Sequence, residues 1–418
     1  MFMRLKSLIL YLRVSHLTTC SASATEISTE APISNSPRAT GEVLGVTATE
    51  DTGSGTESDR EADPEDESLM MESQLGNILK YRSDEVNFDL HIDRLLGSGS
   101  FGRVVLCSSL NEPNDDRVAV KLMRIGKSAE SEVAIWRAIT ARRAAEPGSP
   151  EAARIVRVLG GFYPARVVYG LIFEPLGISL EELLKVNSYT GLYLEDVQKI
   201  CTDLLLALKF CHRLNIVHAD IKPANILLVQ NHVRTVEPQR YRGRGVLENY
   251  LRPLQDADGV MIKLIDFGLS GSPSRRLVTT LPYRSPEALR GDRWTTATDM
   301  WSTGCVIVEL VTGDRFIENM NEHDLRNMSR IRSACKSGLR KRLSAHSQEL
   351  ITFLKQFIQF QARNRITAAN ALKSEFLNSN ITEPATLTPF DEEVVAKQNG
   401  QEVKRPEGAP LKRRRTMK

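Results

Sequence analysis

His218-Ala219-Asp220-Ile221-Lys222-Pro223-Ala224-Asn225 decides the reading of this chain. Ahead of it Val197, Ile200, Cys201, Leu204, Leu205 and Leu208 recur at helical spacing on one face, so a helix is expected to deliver the octapeptide as a loop. A polar loop after an amphipathic helix demands no particular order of side chains. This one sets an aspartate, then a lysine, then an asparagine at fixed offsets, which that plain reading leaves unaccounted for. His218 reads as a packing residue between helices, not as a base or a metal ligand.

Downstream, the apolar residues 261–265 are expected to form a strand that ends in Asp266-Phe267-Gly268, and Ser285-Pro286-Glu287 lies beyond. Alone that tripeptide carries little information; in this order it carries much more. Upstream, Gly97-Ser98-Gly99-Ser100-Phe101-Gly102 fits G-x-G-x-x-G. Glycines let a backbone approach phosphates closely, although tight turns and dinucleotide-binding loops give the same string. Here the loop joins two expected strands rather than a strand and a helix, which argues against a dinucleotide site. Lys121 ends the next strand pattern, Val118-Ala119-Val120-Lys121, at the spacing of a phosphate-binding lysine. Glu132, on the helix expected over residues 129–143, is its best acidic partner, with Glu130 as the alternative.

Phosphoryl transfer suits this set, because it asks mainly for positioning, charge neutralisation and metal ions. Asp220 would orient an acceptor hydroxyl and take its proton, and Lys222 would stabilise charge on the migrating group. Asn225 and Asp266 would hold magnesium, which favours sparse oxygen ligation completed by phosphates. No G-x-x-x-x-G-K-[ST] occurs, which excludes a P-loop nucleotidase.

The 418 residues, 41% of them apolar, allow a sizeable core, and a net charge of +3 makes no case for nucleic-acid binding. The six cysteines are scattered without a C-x-x-C pair, as expected of reduced thiols rather than a disulfide frame or a zinc site. No apolar run is long enough to cross a bilayer. Residues 1–84 are rich in Ser, Thr and acids and are expected to be disordered, as is the basic tail 378–418. Strand patterns come first and helix patterns later, which implies an α+β fold of two lobes, one β-rich with a main helix and one larger and helical. Residues 229–259 form a polar, Arg-rich insertion, expected as a surface loop between two short strands.

With these residues in view, the chain resembles the eukaryotic protein kinases over residues 88–377. The resemblance implies ATP and magnesium as cofactors, protein substrates with Ser or Thr acceptors (Tyr left open), no membrane partner and a monomeric catalytic domain. It implies a nucleotide site built from Leu96, Gly97, Ser98, Gly99, Ser100, Phe101, Gly102, Arg103, Val104, Ala119 and Lys121. Phe173 is similar to the gatekeeper, Glu174 to Leu176 resemble the adenine-binding hinge, and Leu227 would wall the adenine with Val104 and Ala119. By the same resemblance Glu287 pairs with Arg365, Asp299 braces the catalytic loop, and Thr280 contacts Asp220 and Lys222.

Tyr283-Arg284-Ser285-Pro286-Glu287, the Phe gatekeeper and H-A-D resemble the CMGC group. Within it the LAMMER (Cdc-like, dual-specificity) kinases are most similar, through Phe173-Glu174-Pro175-Leu176-Gly177, the insertion and Glu322-His323-Asp324-Leu325-Arg326-Asn327-Met328-Ser329-Arg330, a degraded form of their signature. That resemblance implies Arg/Ser-rich splicing factors as substrates. Homeodomain-interacting and dual-specificity tyrosine-regulated kinases are the alternatives, and the activation segment has no tyrosine before Tyr283, which weighs against the latter. A pseudokinase is the rival of another class, but Lys121, Asp220, Asn225 and Asp266 are all present.

Two departures from the family pattern matter. Ala219 stands where an arginine usually clamps an activation-segment phosphate, so phosphorylation there would gain little charge-assisted pairing. Activity independent of activation-segment phosphorylation is the expectation, with Ser274, Thr279 and Thr280 as remaining acceptors. Leu281-Pro282 replace the arginine expected before Tyr283, and Arg275-Arg276 would repel Arg-rich substrates. Residues 404–415 form a basic cluster that reads as a nuclear localisation signal. The basic, acid-free residues 1–23 keep a mitochondrial presequence open, with cytoplasm as the other alternative.

Overall fold

The computed structural model describes residues 78–82, 87–99, 102–110, 117–229, 233–236, 250–274, 279–317, 328–333, 335, 339, 343 and 348–379. Ser100, Phe101, Arg275, Arg276, residues 322–327, 237–249 of the insertion, and residues 1–77 and 380–418 of the expected tails lie outside them. Within the expected N-terminal tail 1–84, residues 78–82 are instead a strand paired with the next one, with Leu79 fully buried.

The chain divides into two compact units. The first holds most of a six-stranded sheet in the order β1-β2-β3-β4-β6-β5. Its strands are β1 (Ile78–Arg82), β2 (Asn87–Gly99), β3 (Gly102–Ser109), β4 (Val118–Arg124), β5 (Val158–Ala165) and β6 (Val168–Phe173). β2 and β3 form an antiparallel hairpin that closes at Gly99 opposite Gly102, with register shifts after Ile92 and Leu95. At its closure Gly102 has φ +123, and a Cβ there would lie 2.1 Å from the Leu122 carbonyl oxygen, so only glycine fits.

The second unit carries the helices. These are α1 (Lys127–Ala145), α2 (Pro150–Ala153), α3 (Leu180–Val186), α4 (Leu194–Arg213), α5 (Pro286–Leu289), α6 (Thr296–Thr312), α7 (Met328–Ser333), α8 (Gln348–Phe357), α9 (Ala368–Ala371) and α10 (Glu375–Asn378). Short strands β7 (Ile226–Leu228) and β10 (Ile262–Leu264) pair antiparallel, and so do β8 (Val233–Val236) and β9 (Tyr250–Pro253). α4 buries the whole apolar stripe read from the sequence, with Glu195 and Asp196 in its first turn and His212 and Arg213 in its last, matching the helix dipole. α1 extends beyond the expected 129–143 at both ends and buries Ala129, Glu132, Trp136 and Ile139 at helical spacing. α3 begins with a capping box between Ser179 and Glu182. α6 is buried almost all round; its Gly304 lies so close to Phe357 and Ile358 that an added Cβ would meet both at 2.8 Å.

The insertion differs from the plain loop expected. It carries the β8–β9 ribbon, and β9 is fastened to the helices. The Asn187 side chain both donates to the Leu251 carbonyl and accepts from its N–H, each at 2.9 Å. Arg252 forks onto Asp196 at 2.8 and 2.7 Å and lies 4.3 Å from the Tyr193 ring centroid. Among the described residues no helix is long and apolar enough to cross a membrane.

Candidate active site

The octapeptide emerges from the end of α4 and runs into a 3-10 turn at Pro223–Asn225. Asp299, in the first turn of α6, holds it from below. Its Oδ2 accepts the His218 N–H and its Oδ1 the Ala219 N–H, both at 2.9 Å, and the His212 ring nitrogen lies 2.9 Å from Oδ2. Ala219 takes a left-handed conformation, φ +66, which turns the chain so that Asp220 follows.

Asp220 is 5% exposed, and both of its carboxylate oxygens are engaged. Oδ1 accepts from the Thr280 N–H at 3.0 Å and hydroxyl at 2.8 Å, while Oδ2 accepts from Asn225 Nδ2 at 3.1 Å and lies 2.7 Å from Lys222 Nζ. Lys222 also donates to Thr280 Oγ1 at 3.1 Å. The Asn225 amide nitrogen donates to the Asp220 carbonyl as well, at 2.8 Å, so its oxygen is the end left over. The Ile265 N–H donates to the Asn225 carbonyl at 3.0 Å, which brings Asp266 beside this group. Asp266 has φ +60, and its Oδ1 accepts from the Gly268 N–H at 3.3 Å.

Rings back the site. Phe267 meets Trp136 edge-on at 4.7 Å and His218 at 4.8 Å, and Trp136 meets Phe173 at 5.2 Å. His218 is fully buried, with a ring nitrogen 2.9 Å from the Ile265 carbonyl. It is a packing residue as expected, set against Phe267. Glu132 is buried on α1 and accepts from Trp136 Nε1 at 3.3 Å. Lys121 is buried on β4 in the sheet.

At the expected hinge, the Glu174 N–H donates to the Arg157 carbonyl at 3.1 Å and its carboxylate binds Lys263 at 2.6 Å. The Glu174 carbonyl and both backbone groups of Leu176 take no backbone partner among the described residues. Leu227 is half-buried on β7. In the β2–β3 hairpin, Leu96, Gly97, Ser98 and Gly99 are exposed and Arg103 and Val104 half-buried, and Ala119 on β4 is half-buried. A Cβ placed at Gly97 or Gly99 would meet nothing within 4 Å.

The Glu287–Arg365 pair is bidentate at 2.5 and 2.6 Å, and Arg365 also donates to the Ala297 carbonyl at 2.9 Å. Burial pushes the Glu287 carboxyl up, but the hydrogen bonds and charge of Arg365 outweigh it and hold the group below its usual range. Of the three possible acceptors, Thr279 is buried at φ +73, Thr280 is bonded to Asp220, and Ser274 is half-buried. Sequence reasoning missed Arg284, whose guanidinium donates to the Thr279 carbonyl at 3.2 and 2.8 Å. No motif marks that contact, because the acceptor is backbone.

The comparisons agree with this geometry. The model of the protein kinase domain matches residues 90–377, and the chain belongs to that family. "Serine/threonine-protein kinase AFC1" of Arabidopsis thaliana is 32% identical over 246 residues, 56% of this chain and 50% of the relative. "Dual specificity tyrosine-phosphorylation-regulated kinase 2" of Drosophila melanogaster is 30% identical over 250 residues, 59% of this chain and 30% of the relative. A crystal structure of a kinase domain matches with TM-score 0.57 and 28% identity, covering 69% of this chain and 95% of its own. The relatives are AFC/LAMMER kinases and dual-specificity tyrosine-regulated kinases, both of the CMGC group. This chain spans half or less of the length of the two relatives quoted.

Proposed function

We propose that this chain is an ATP-dependent protein kinase acting on Ser or Thr of protein substrates. The Asp220 network carries the reading: Thr280, Lys222 and Asn225 fix its carboxylate in one orientation while Asp266 is brought alongside. In the proposed step the acceptor hydroxyl forms a bond to the γ-phosphorus as the bond from phosphorus to the bridging oxygen breaks. Asp220 takes the hydroxyl proton, and ADP leaves. Lys222 lies at the same carboxylate, where it would offset charge on the phosphoryl oxygens.

The Asn225 amide oxygen and the Asp266 carboxylate form a hard, oxygen-only donor pair, which fits magnesium. Bound there, magnesium would neutralise phosphate charge. The carbonyl of Glu174 and the backbone groups of Leu176, which take no backbone partner among the described residues, fit an adenine edge, and the open space at Gly97 and Gly99 suits phosphates. Lys121 pairing with Glu132 belongs to the same reading, as do the domain limits 88–377.

Among CMGC kinases we favour the LAMMER reading, on Phe173-Glu174-Pro175-Leu176-Gly177 and the insertion, with Arg/Ser-rich splicing factors as substrates and a nuclear location through residues 404–415. A tagged protein excluded from nuclei would contradict the location. Purified protein and an Asp220→Asn variant, each given ATP, magnesium and a cell lysate, test the rest. Phosphosites that vanish with the variant are expected, enriched in Arg/Ser repeats. Identical phosphosites from both proteins would end the kinase reading, and real sites without that enrichment would end the splicing-factor one.

A further inference from the structure

Ala219 occupies the position at which the family resemblance expects an arginine, and its surroundings differ in kind from a phosphate clamp. It is wholly buried in an apolar cluster with Val217, Ala288 and Trp294, against which Leu269 packs. The segment that follows Asp266-Phe267-Gly268 is tied in around that cluster. Val217 and Gly271 exchange both backbone hydrogen bonds, at 2.9 and 3.0 Å. Ser270 Oγ donates to the His218 carbonyl at 2.8 Å, and the Trp294 N–H donates to the Ser274 carbonyl at 2.9 Å.

The left-handed backbone at Ala219 is disfavoured for an L-residue, and such strain persists where neighbours over-determine the conformation. Two neighbours do so here. Asp299 holds the Ala219 N–H, and the cluster holds its methyl group. The next residue is Asp220, so whatever sets Ala219 sets the direction from which that carboxylate enters the site.

We infer that Trp294 is a positioning residue for Asp220: its ring closes an apolar latch that fastens residues 269–274 to the catalytic loop, a job that needs no phosphate. The inference rests on the role proposed above for Asp220. A guanidinium introduced at position 219 would enter an apolar cluster, so the latch and a phosphate clamp exclude each other at this site.

The test compares the full chain with Trp294→Ala and Trp294→Phe, reading kcat, KM for ATP and amide hydrogen exchange over residues 217–220 and 269–274. Trp294→Ala should lower kcat by about tenfold or more, as misplacement of a reacting group does, while KM for ATP moves little. Exchange should quicken at Val217 and Gly271. Trp294→Phe should restore most of kcat, and phosphatase treatment of the wild type should leave turnover intact. Unchanged kcat in Trp294→Ala, unchanged exchange, or a wild type silenced by phosphatase each overturns the latch. Should Trp294→Ala not fold, Leu269→Ala is the milder variant, with the same split between kcat and KM expected. If the wild type transfers no phosphate, the kinase reading fails, and the exchange measurement still decides the latch.

Discussion

Gly99 and Gly102 carry the same side chain, three residues apart, for opposite reasons. Gly102 is glycine because its φ of +123 and the Leu122 carbonyl forbid anything else. Gly99 has empty space where a side chain would go, so nothing among the described residues demands glycine there; under the proposed function the demand would come from a nucleotide phosphate. Gly102→Ala is therefore expected to lower the thermal midpoint, with a loss above ~1 kcal/mol for an L-residue forced into that conformation. Gly99→Val should leave the midpoint nearly unchanged and raise KM for ATP. Equal thermal losses in both variants, with KM unaltered in Gly99→Val, would contradict this assignment. Thr279 shows the limit of reading one residue at a time. It joins a left-handed φ to a buried hydroxyl that has no partner among the described residues, while Arg284 holds its carbonyl and Thr280 next door is bonded to Asp220, an arrangement that threonine's own preferences do not dictate.

Among the elements, α4 was legible because periodicity alone decides it: all six apolar residues named from the sequence are buried. The Asp220 loop was legible because its chemistry needs fixed offsets. The β8–β9 ribbon was not, since Arg252 looks like every other arginine of the insertion until Asp196 is seen beneath it. The proposed apolar latch had one visible sign, an alanine where the family resemblance expects an arginine, but its partners Leu269, Ala288 and Trp294 are too far along the chain for any spacing rule to connect. The Glu287–Arg365 pair joins α5 to the turn before α9, and its acid response follows from sign. The Glu287 carboxyl is depressed in the folded state, so its stabilisation is complete above the unfolded carboxylate range, about pH 4.3, and is lost as pH falls through the folded value. Glu287→Gln leaves a buried guanidinium without its carboxylate, a loss of about 3 kcal/mol or more at neutral pH. The stability gap between wild type and this variant should narrow below about pH 4.3 in denaturant titrations. A gap constant down to pH 3 would show that the pair's charge is not what holds these elements.

At the scale of the whole molecule, the chain pairs a sheet unit ending in a glycine hairpin with a helical unit that holds the aspartates, and its family is that of the protein kinases. AFC and dual-specificity tyrosine-regulated relatives match at nearly the same identity, so identity does not divide the two subgroups. Ala219 and Leu281-Pro282 are where this chain departs from the pattern that the resemblance implies, and each sits beside or after the catalytic aspartate rather than at its acidic and metal-binding positions. That arrangement predicts ordinary phosphoryl transfer under unusual control. The most direct measurement is a paired one on wild type and Asp220→Asn: ATP affinity in the presence of magnesium, and the rate of γ-phosphoryl transfer to a protein acceptor. The account predicts matching affinities and a transfer rate lower in the variant by about 10²–10⁴-fold, the contribution of a positioned general base. Equal transfer rates, or a wild type that binds ATP and transfers nothing, would contradict it.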